Sequence, residues 1–278
     1  MIGGKTALFG VIGHPVSHSL SPRMHNSAFA TLGIDAVYLA LPVLPDALAD
    51  ALRGAHALGF QGLNVTVPHK QRVLALCEGT DAVAERVGAV NTLRRTAGGW
   101  EGHNTDAPAV RELMEAAGVR VGTRALLIGA GGAARAAAWA LLELGAALTV
   151  TARRQEAAAE LLRALPPRGM PLPRTSPFKA LAAEVGEAEV VVNGTSVGLH
   201  GHEPAFGELR FRRGQLAVDF VYGETAFIAA AREAGARLLG GEAILVRQGA
   251  RAFTLFTGQD APEAVMAAAV AAPAGSGR

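Results

Sequence analysis

Short apolar runs alternate with helical patterns along the first half of this chain. TALFGVIG (6–13) reads as a strand and SPRMHNSAFATLG (21–33) as the helix behind it, with apolar residues spaced three and four apart. DAVYLALPV (35–43) and PDALADALRGAHALG (45–59) repeat the pair, and GFQGLNVTVP (59–68) gives a third strand. AVNTLRRTAGGWEGHN (89–104) predicts a hairpin turning at Ala97-Gly98-Gly99, and APAVRELMEAAG (107–118) predicts a helix leading onward.

A second unit opens with the strand RALLIGA (124–130), a glycine loop and an alanine-rich helix from Ala133 to Leu144. ALTVTA, AEVVVNGT, QLAVDFVY and ARLLGG supply further strands with helices between them. EAILVRQGARAFTLFTG and APEAVMAAAVAA predict two terminal helices, and the tail from 273 is expected to fray. The five prolines between Pro166 and Pro177 predict a loop. Strands separated by helices point to α/β architecture with parallel sheets.

Composition narrows the function classes. The 278 residues are 50% hydrophobic and 18% charged, enough apolar content for two folded cores. A net charge of +2 without a basic run gives no nucleic-acid surface, and no apolar stretch free of charges is long enough to span a membrane. The single cysteine excludes an internal disulfide framework and a Cys-rich zinc site; no metal site is expected. With no secretory signature, the expectation is a soluble cytoplasmic protein acting on a small molecule, as monomer or homodimer.

The loop Gly129-Ala130-Gly131-Gly132-Ala133-Ala134 fits G-x-G-x-x-A between a predicted strand and helix. Gly129 permits the tight turn, Gly131 lets the backbone approach a pyrophosphate, and the helix N-terminus supplies N–H groups to phosphate. The bland alternative is a structural glycine turn. The next strand ends in Ala152-Arg153-Arg154 where an NAD site carries an acidic residue, so two guanidiniums face the position of a 2′-phosphate. Unless they are merely a solvated strand end, the expected cofactor is NADP(H).

In the first half, GLNVTVPHK (62–70) places Asn64 and Thr66 at one parity of a strand and Val65 and Val67 at the other, with Lys70 just beyond Pro68. The valines are expected to bury one face. Ser21-Pro22 suits an N-cap followed by a first-turn proline, and Ser19 with Ser21 beside a helix start equally suits a carboxylate. Lys70 alone reads as an exposed lysine, Asp106 as a helix cap, and Asn64, Thr66, Asn91 and Asn104 as turn or cap residues.

Taken together, GVIGHPVSHSLSP (10–22), LNVTVPHK (63–70), GAVNT (88–92), GHNTD (102–106), IGAGG (128–132), NGTSVG (193–198) and ILVRQ (244–248) resemble the shikimate dehydrogenase family in order and spacing, over nearly the whole chain. The resemblance implies an N-terminal α/β substrate domain over 1–106, a Rossmann NADP-binding domain over 107–240, and helices over 241–272 packing back on the first domain. It implies NADPH-dependent reduction of 3-dehydroshikimate to shikimate. Ser19 and Ser21 would hold the substrate carboxylate; Asn64, Thr66, Asn91 and Gln248 would meet the ring hydroxyls. Lys70 and Asp106 would be the catalytic pair. Gly129, Ala130, Gly131, Gly132 and Ala133 would cradle the pyrophosphate, with Ala152, Arg153 and Arg154 around the 2′-phosphate. Tyr222 and Gly241 would lie near the nicotinamide end, Tyr222 also binding substrate, and Phe220 would be a further cofactor-binding residue.

The chain departs from the family where Ala152-Arg153-Arg154 replaces a common Asn-Arg-Thr, and where VYGETAF is about two residues shorter after the tyrosine. Ile244 replaces a common methionine and Gly194 a common alanine, neither expected to touch the chemistry. The rival readings are a quinate/shikimate dehydrogenase with broader substrate or NAD use, a methylenetetrahydrofolate dehydrogenase, and a silent dinucleotide-binding regulator. NVTVPHK and GHNTD favour the shikimate reading over the second rival, and Lys70 with Asp106 disfavour the third.

Overall fold

The computed structural model describes residues 2–167, 169, 171–198 and 206–272. The expected frayed tail, 273–278, lies outside them. Chain contacts divide the protein into two compact units: Met1–Thr105 with Leu245–Arg278, and Asp106–Ile244. The chain passes from one to the other between Thr105 and Asp106, and back within a single helix.

The first unit is a six-stranded sheet with helices on it. The strands are β1 (Ala7–Gly13), β2 (Ala36–Pro42), β3 (Phe60–Val65), β4 (Gly79–Thr80), β5 (Thr92–Arg95) and β6 (Trp100–His103), in the order β2-β1-β3-β5-β6-β4. β1 pairs parallel with both β2 and β3, whereas β5 runs antiparallel to β3 and to β6. The sheet is therefore mixed, because the hairpin read around Gly98 adds its strands at the β3 edge. Within β3 only Gln61 is exposed, the near-continuous burial of a strand covered on both faces. Helix α2 (Leu48–Ala57) covers one face, where Leu48, Leu52 and Ala55 pack with Phe60, Leu63 and Val65.

On the other face lie α1 (Ser21–Thr31) and the terminal helices α9 (Gly241–Thr257) and α10 (Glu263–Ala271). The rings of Phe29 on α1 and Phe253 on α9 stand 5.4 Å apart, and the Arg23 guanidinium of α1 donates to the Val270 carbonyl of α10 at 2.7 Å. The terminal segment thus packs on the first unit, as the family resemblance implied. A short helix, α3 (Ala82–Val87), starts on an Asp81 cap that accepts from the Ala84 N–H at 2.6 Å.

The second unit is an all-parallel sheet of β7 (Arg124–Ile128), β8 (Ala147–Thr151), β9 (Arg174–Thr175), β10 (Val190–Asn193), β11 (Leu216–Asp219) and β12 (Arg237–Leu239). Its order, β12-β11-β10-β7-β8-β9, is that of a doubly wound dinucleotide-binding sheet, with the reversal between β7 and β10. Helices α4 (Asp106–Ala116), α5 (Gly132–Glu143), α6 (Gln155–Ala164), α7 (Leu181–Glu187) and α8 (Ala226–Glu233) connect the strands. The proline-rich segment is not wholly a loop, since Arg174–Thr175 pairs with β8 and the Ser176 N–H reaches the Val150 carbonyl. Two ladder residues between prolines carry no periodicity for a sequence reading to detect. Among the described residues no helix is long and apolar enough to cross a membrane.

Candidate functional site

The polar groups at the C-terminal end of β3 belong to one hydrogen-bonded network in the first unit. The Asn64 amide nitrogen donates to the Thr92 hydroxyl at 3.0 Å and the Asn91 carbonyl at 3.3 Å, and its Oδ1 accepts from the Tyr38 hydroxyl at 2.6 Å. Both amide hydrogens are committed, so Asn64 has an Oδ1 lone pair left to offer a ligand hydroxyl. Asn91 Nδ2 donates to Thr105 Oγ1 at 2.9 Å and Gln248 Oε1 at 3.3 Å, while its Oδ1 accepts from the Thr105 N–H at 2.7 Å. Gln248 is held in turn by its own helix, Nε2 donating to the Leu245 carbonyl at 2.9 Å. Asn64, Asn91 and Gln248, far apart in sequence, are thereby joined. Asn104 stands slightly apart, its amide donating to the Ala89 carbonyl at 2.8 Å.

Thr66 continues the β1–β3 ladder by one residue, its N–H donating to the Ile12 carbonyl at 2.9 Å. Its methyl carbon would be 2.3 Å from a Cβ at Gly13, so this close approach needs glycine. One expectation fails here. Val65 is buried, but Val67 is 55% exposed, because β3 ends at Val65 and the strand alternation stops with it. The turn that follows is anchored by His69, which the sequence reading passed over. Its ring Nε2 meets the Val43 carbonyl at 2.7 Å in a fully buried position, and burial, ahead of the opposing bond to Val43, lowers its pKa. Lys70 follows with its backbone carbonyl accepting from the Val90 N–H at 2.8 Å, which fixes it next to the Asn91 strand entry.

Ser21 is not an N-cap. It is the first residue of α1, and Leu20 occupies the cap position with no side-chain cap bond of its own. The Ser21 N–H reaches Ser19 Oγ at 3.3 Å. Pro22 has no N–H, so the first turn keeps few donors, beside two hydroxyls and the positive end of the helix. That is a fitting seat for a carboxylate.

In the second unit, the loops after β7 and β10 flank the strand-order reversal where such sheets bind ligands. Gly129 has φ +113°, a conformation open to glycine, and a Cβ there would lie 3.0 Å from the Gly194 carbonyl oxygen. A Cβ at Gly194 would lie 2.9 Å from the Ala134 Cα, so position 194 packs closely against the glycine-loop helix. Gly131, by contrast, has no atom of the described residues, its own chain neighbours aside, within 4 Å of where its Cβ would be. The space above it is open, and the first N–H groups of α5 are available to an acceptor there. Ala130, Gly132 and Ala133 are partly exposed around it.

Nearby, at the end of β8, the Thr151 hydroxyl is buried without a partner among the described residues, and Ala152 is buried beyond it. Arg153 and Arg154 follow, both exposed, and among the described residues no carboxylate pairs with either. An anion with a bound dinucleotide would meet two uncompensated guanidiniums. The donor set fits a 2′-phosphorylated dinucleotide.

Asp106 stands in the first turn of α4, buried, as part of the helix rather than before it. Tyr222 lies close enough that burial first, then the carboxylates of Asp106 and Glu242, push its phenol well above the usual range. The phenol stays protonated and able to donate. Phe220 donates its N–H to the Asn193 carbonyl at 3.3 Å, and Gly241 opens α9 in a buried position. Beneath these loops is Asp219, fully buried, whose carboxylate accepts from Thr225 Oγ1 at 2.6 Å, Asn193 Nδ2 at 3.0 Å and the Val221 N–H at 3.0 Å. It ties the loop after β10 to the loop after β11. Asp219 and Asn193 each end an apolar strand, a signal the sequence reading left unused; Tyr38, Thr92 and Thr105 gave none.

Comparison with known proteins gives consistent matches. Residues 11–93 match the shikimate dehydrogenase substrate-binding domain, and residues 241–271 match the shikimate 5′-dehydrogenase C-terminal domain. A shikimate dehydrogenase (NADP(+)) of Anaeromyxobacter sp. (strain K) is 64% identical, over 99% of this chain and 100% of that protein. The crystal structure of shikimate dehydrogenase from Aquifex aeolicus, 35% identical, superposes with a TM-score of 0.89 over 98% of this chain and 100% of its own. The Thermus thermophilus shikimate 5-dehydrogenase solved with NADP(H) and shikimate is 37% identical with a TM-score of 0.83, over 95% of this chain and 98% of its own.

Proposed function

Given that the chain belongs to the shikimate dehydrogenase family, we propose that it interconverts 3-dehydroshikimate and shikimate, using NADP(H). The observation that supports this reading is the network joining Asn64, Asn91 and Gln248, which gathers three amide side chains of the kind a polyhydroxylated ring requires. Ser19 and Ser21 at the open start of α1 take the ring carboxylate. Thr66 adds a hydroxyl at the end of β3.

The cofactor, when bound, supplies the hydride. Gly129 to Ala133 hold the pyrophosphate at the start of α5, and Arg153 with Arg154 hold the 2′-phosphate. Ala152, Phe220 and Gly241 line the cofactor path, and Tyr222 donates near the reacting end. Lys70 donates a proton to the carbonyl oxygen as the carbonyl carbon is reduced, and as neutral amine it takes the hydroxyl proton in the reverse direction. Asp106 is the acidic partner that the family motif pairs with Lys70, and a charge-assisted hydrogen bond is the form such pairing takes. Substrate capture falls to the first unit and cofactor capture to the second. The protein works in the cytoplasm, a reading supported by its one cysteine, and as a monomer or homodimer.

The test is turnover by the purified protein with shikimate or quinate, each with NADP⁺ and NAD⁺, followed by reduced-nicotinamide absorbance. Shikimate with NADP⁺ should give the highest kcat/KM. Faster oxidation of quinate, or preference for NAD⁺, would move the assignment to the broader quinate/shikimate enzymes. No turnover with shikimate under either cofactor would overturn it.

A further inference from the structure

At the opposite edge of the second sheet from the glycine loop is an open concavity of about 440 Å³, bordered by the N-terminal ends of four neighbouring strands: β7, β10, β11 and β12. Five arginines line it, Arg120, Arg124, Arg212, Arg213 and Arg237, against one carboxylate, Glu189. Three of these arginines hold backbone carbonyls at helix ends. Arg124 Nε donates to the Glu187 carbonyl closing α7 at 2.9 Å, Arg212 to the Ala188 carbonyl at 3.3 Å, and Arg237 to the Ala117 carbonyl after α4 at 2.8 Å. The negative ends of those helices account for part of the charge, roughly half a unit each.

They do not account for the rest. A guanidinium has five N–H donors, and the three carbonyl bonds use one from each of three arginines. Arg124 also stands 3.7 Å from Glu189, an exposed and loose pair. Among the described residues no carboxylate pairs with Arg120 or Arg213. Several guanidiniums sharing one concavity repel each other unless an anion sits among them. A volume of about 440 Å³ falls in the range of small-molecule sites, roughly 300–1,000 Å³, not of a flat surface for a macromolecule.

We propose that this arginine-lined concavity is a second anion site, which takes a small molecule of the diphosphate class. Adjacent phosphate groups offer several acceptor oxygens to donors arriving from separate loops, which suits guanidiniums spread around a rim. The strands separating it from the glycine loop are about 15 Å long, so the two sites do not share a ligand group.

Inorganic pyrophosphate is the probe, titrated calorimetrically into the full-length protein at fixed ionic strength. Wild type should bind it with NADP⁺ in excess, so that the glycine-loop cradle is already filled, and Arg153→Ser with Arg154→Ser, which strips the 2′-phosphate end of the cofactor site, should leave this binding within about twofold. Arg120→Ser with Arg213→Ser should weaken it by tenfold or more. Both residues are exposed, so the double variant is expected to melt with wild type, and Arg213→Gln alone gives a milder check with a several-fold loss. The proposal is overturned if wild type does not bind pyrophosphate, if the Arg153/Arg154 variant loses the binding, or if the Arg120/Arg213 variant keeps it. Turnover does not enter this test, so its result is independent of the enzymatic reading.

Discussion

The Tyr38 hydroxyl donates to Asn64 Oδ1 at 2.6 Å, with Tyr38 1% exposed and Asn64 7%. The bond decides which way the amide faces. With Oδ1 towards Tyr38, Nδ2 must address Thr92 and Asn91, and the network around the proposed substrate seat has a single consistent orientation. His25 stacks on the Tyr38 ring at 4.4 Å with planes 4° apart, and burial lowers its pKa to about 3, so it is a neutral wall.

Tyr38→Phe keeps the stack and removes the donor. Leaving a buried acceptor without its partner costs about 1–3 kcal/mol, so the urea midpoint should fall. KM for shikimate should rise several-fold while kcat and KM for NADP⁺ stay near wild type, because Tyr38 acts through Asn64. Steady-state kinetics with shikimate varied would dispose of this positioning role if KM did not move.

Lys70 is the proposed proton donor. Lys70→Ala should lower kcat by about 10²–10⁴-fold with a modest change in KM, the usual worth of acid–base help. A variant retaining near-normal kcat assigns the proton to another group.

Arg153 and Arg154 are exposed at the end of β8 and meet no carboxylate among the described residues. Arg153→Ala should raise KM for NADP⁺ at least tenfold, about 1.4 kcal/mol, and leave KM for NAD⁺ nearly unchanged. Equal effects on the two cofactors would mean that Arg153 does not read the 2′-phosphate. Because Arg154 stands where the family commonly has threonine, Arg154→Thr should show the same selectivity to a smaller degree.

His103 sits between Asp81, at 3.2 Å from its Nδ1, and Glu101, at 3.1 Å from its Nε2. Burial pulls its pKa down, but the two carboxylates outweigh burial and hold it above the ordinary 6.5. Burial raises Asp81, and the bonds from His103 and the α3 cap outweigh that, leaving it below 3.8. Folded His103 binds its proton more tightly than the unfolded chain does, so its contribution is complete below 6.5 and is lost as pH rises through the raised value. The Asp81 contribution is complete above 3.8 and is lost as pH falls through the lowered value. The difference in urea midpoint between wild type and His103→Gln should therefore be largest at mildly acidic pH and shrink on going alkaline. A difference that is flat across that range would show that the ion pairs add nothing.

Much of this protein was determined locally, and so could be read without coordinates. Parallel strands buried on both faces appear as unbroken apolar runs, which is why VVVN, LAVD and LLI are legible as strands. The glycine pattern, the paired arginines after the next strand and the NVTVPHK and GHNTD motifs are each contiguous, so spacing alone exposed them. What tertiary structure decided was long-range. Asn91 and Gln248 meet at 3.3 Å across 157 residues, and Tyr38 on β2 reaches Asn64 on β3 past the intervening β1, a strand order that no local pattern states. The end of β3 at Val65, and with it the exposure of Val67, depends on where ladder partners cease, not on the β-branched residues themselves. The arginine concavity gathers segments far apart in the chain at one sheet edge. Sequence periodicity reports which face of an element is apolar; only the register and order of strands determine which polar ends stand side by side.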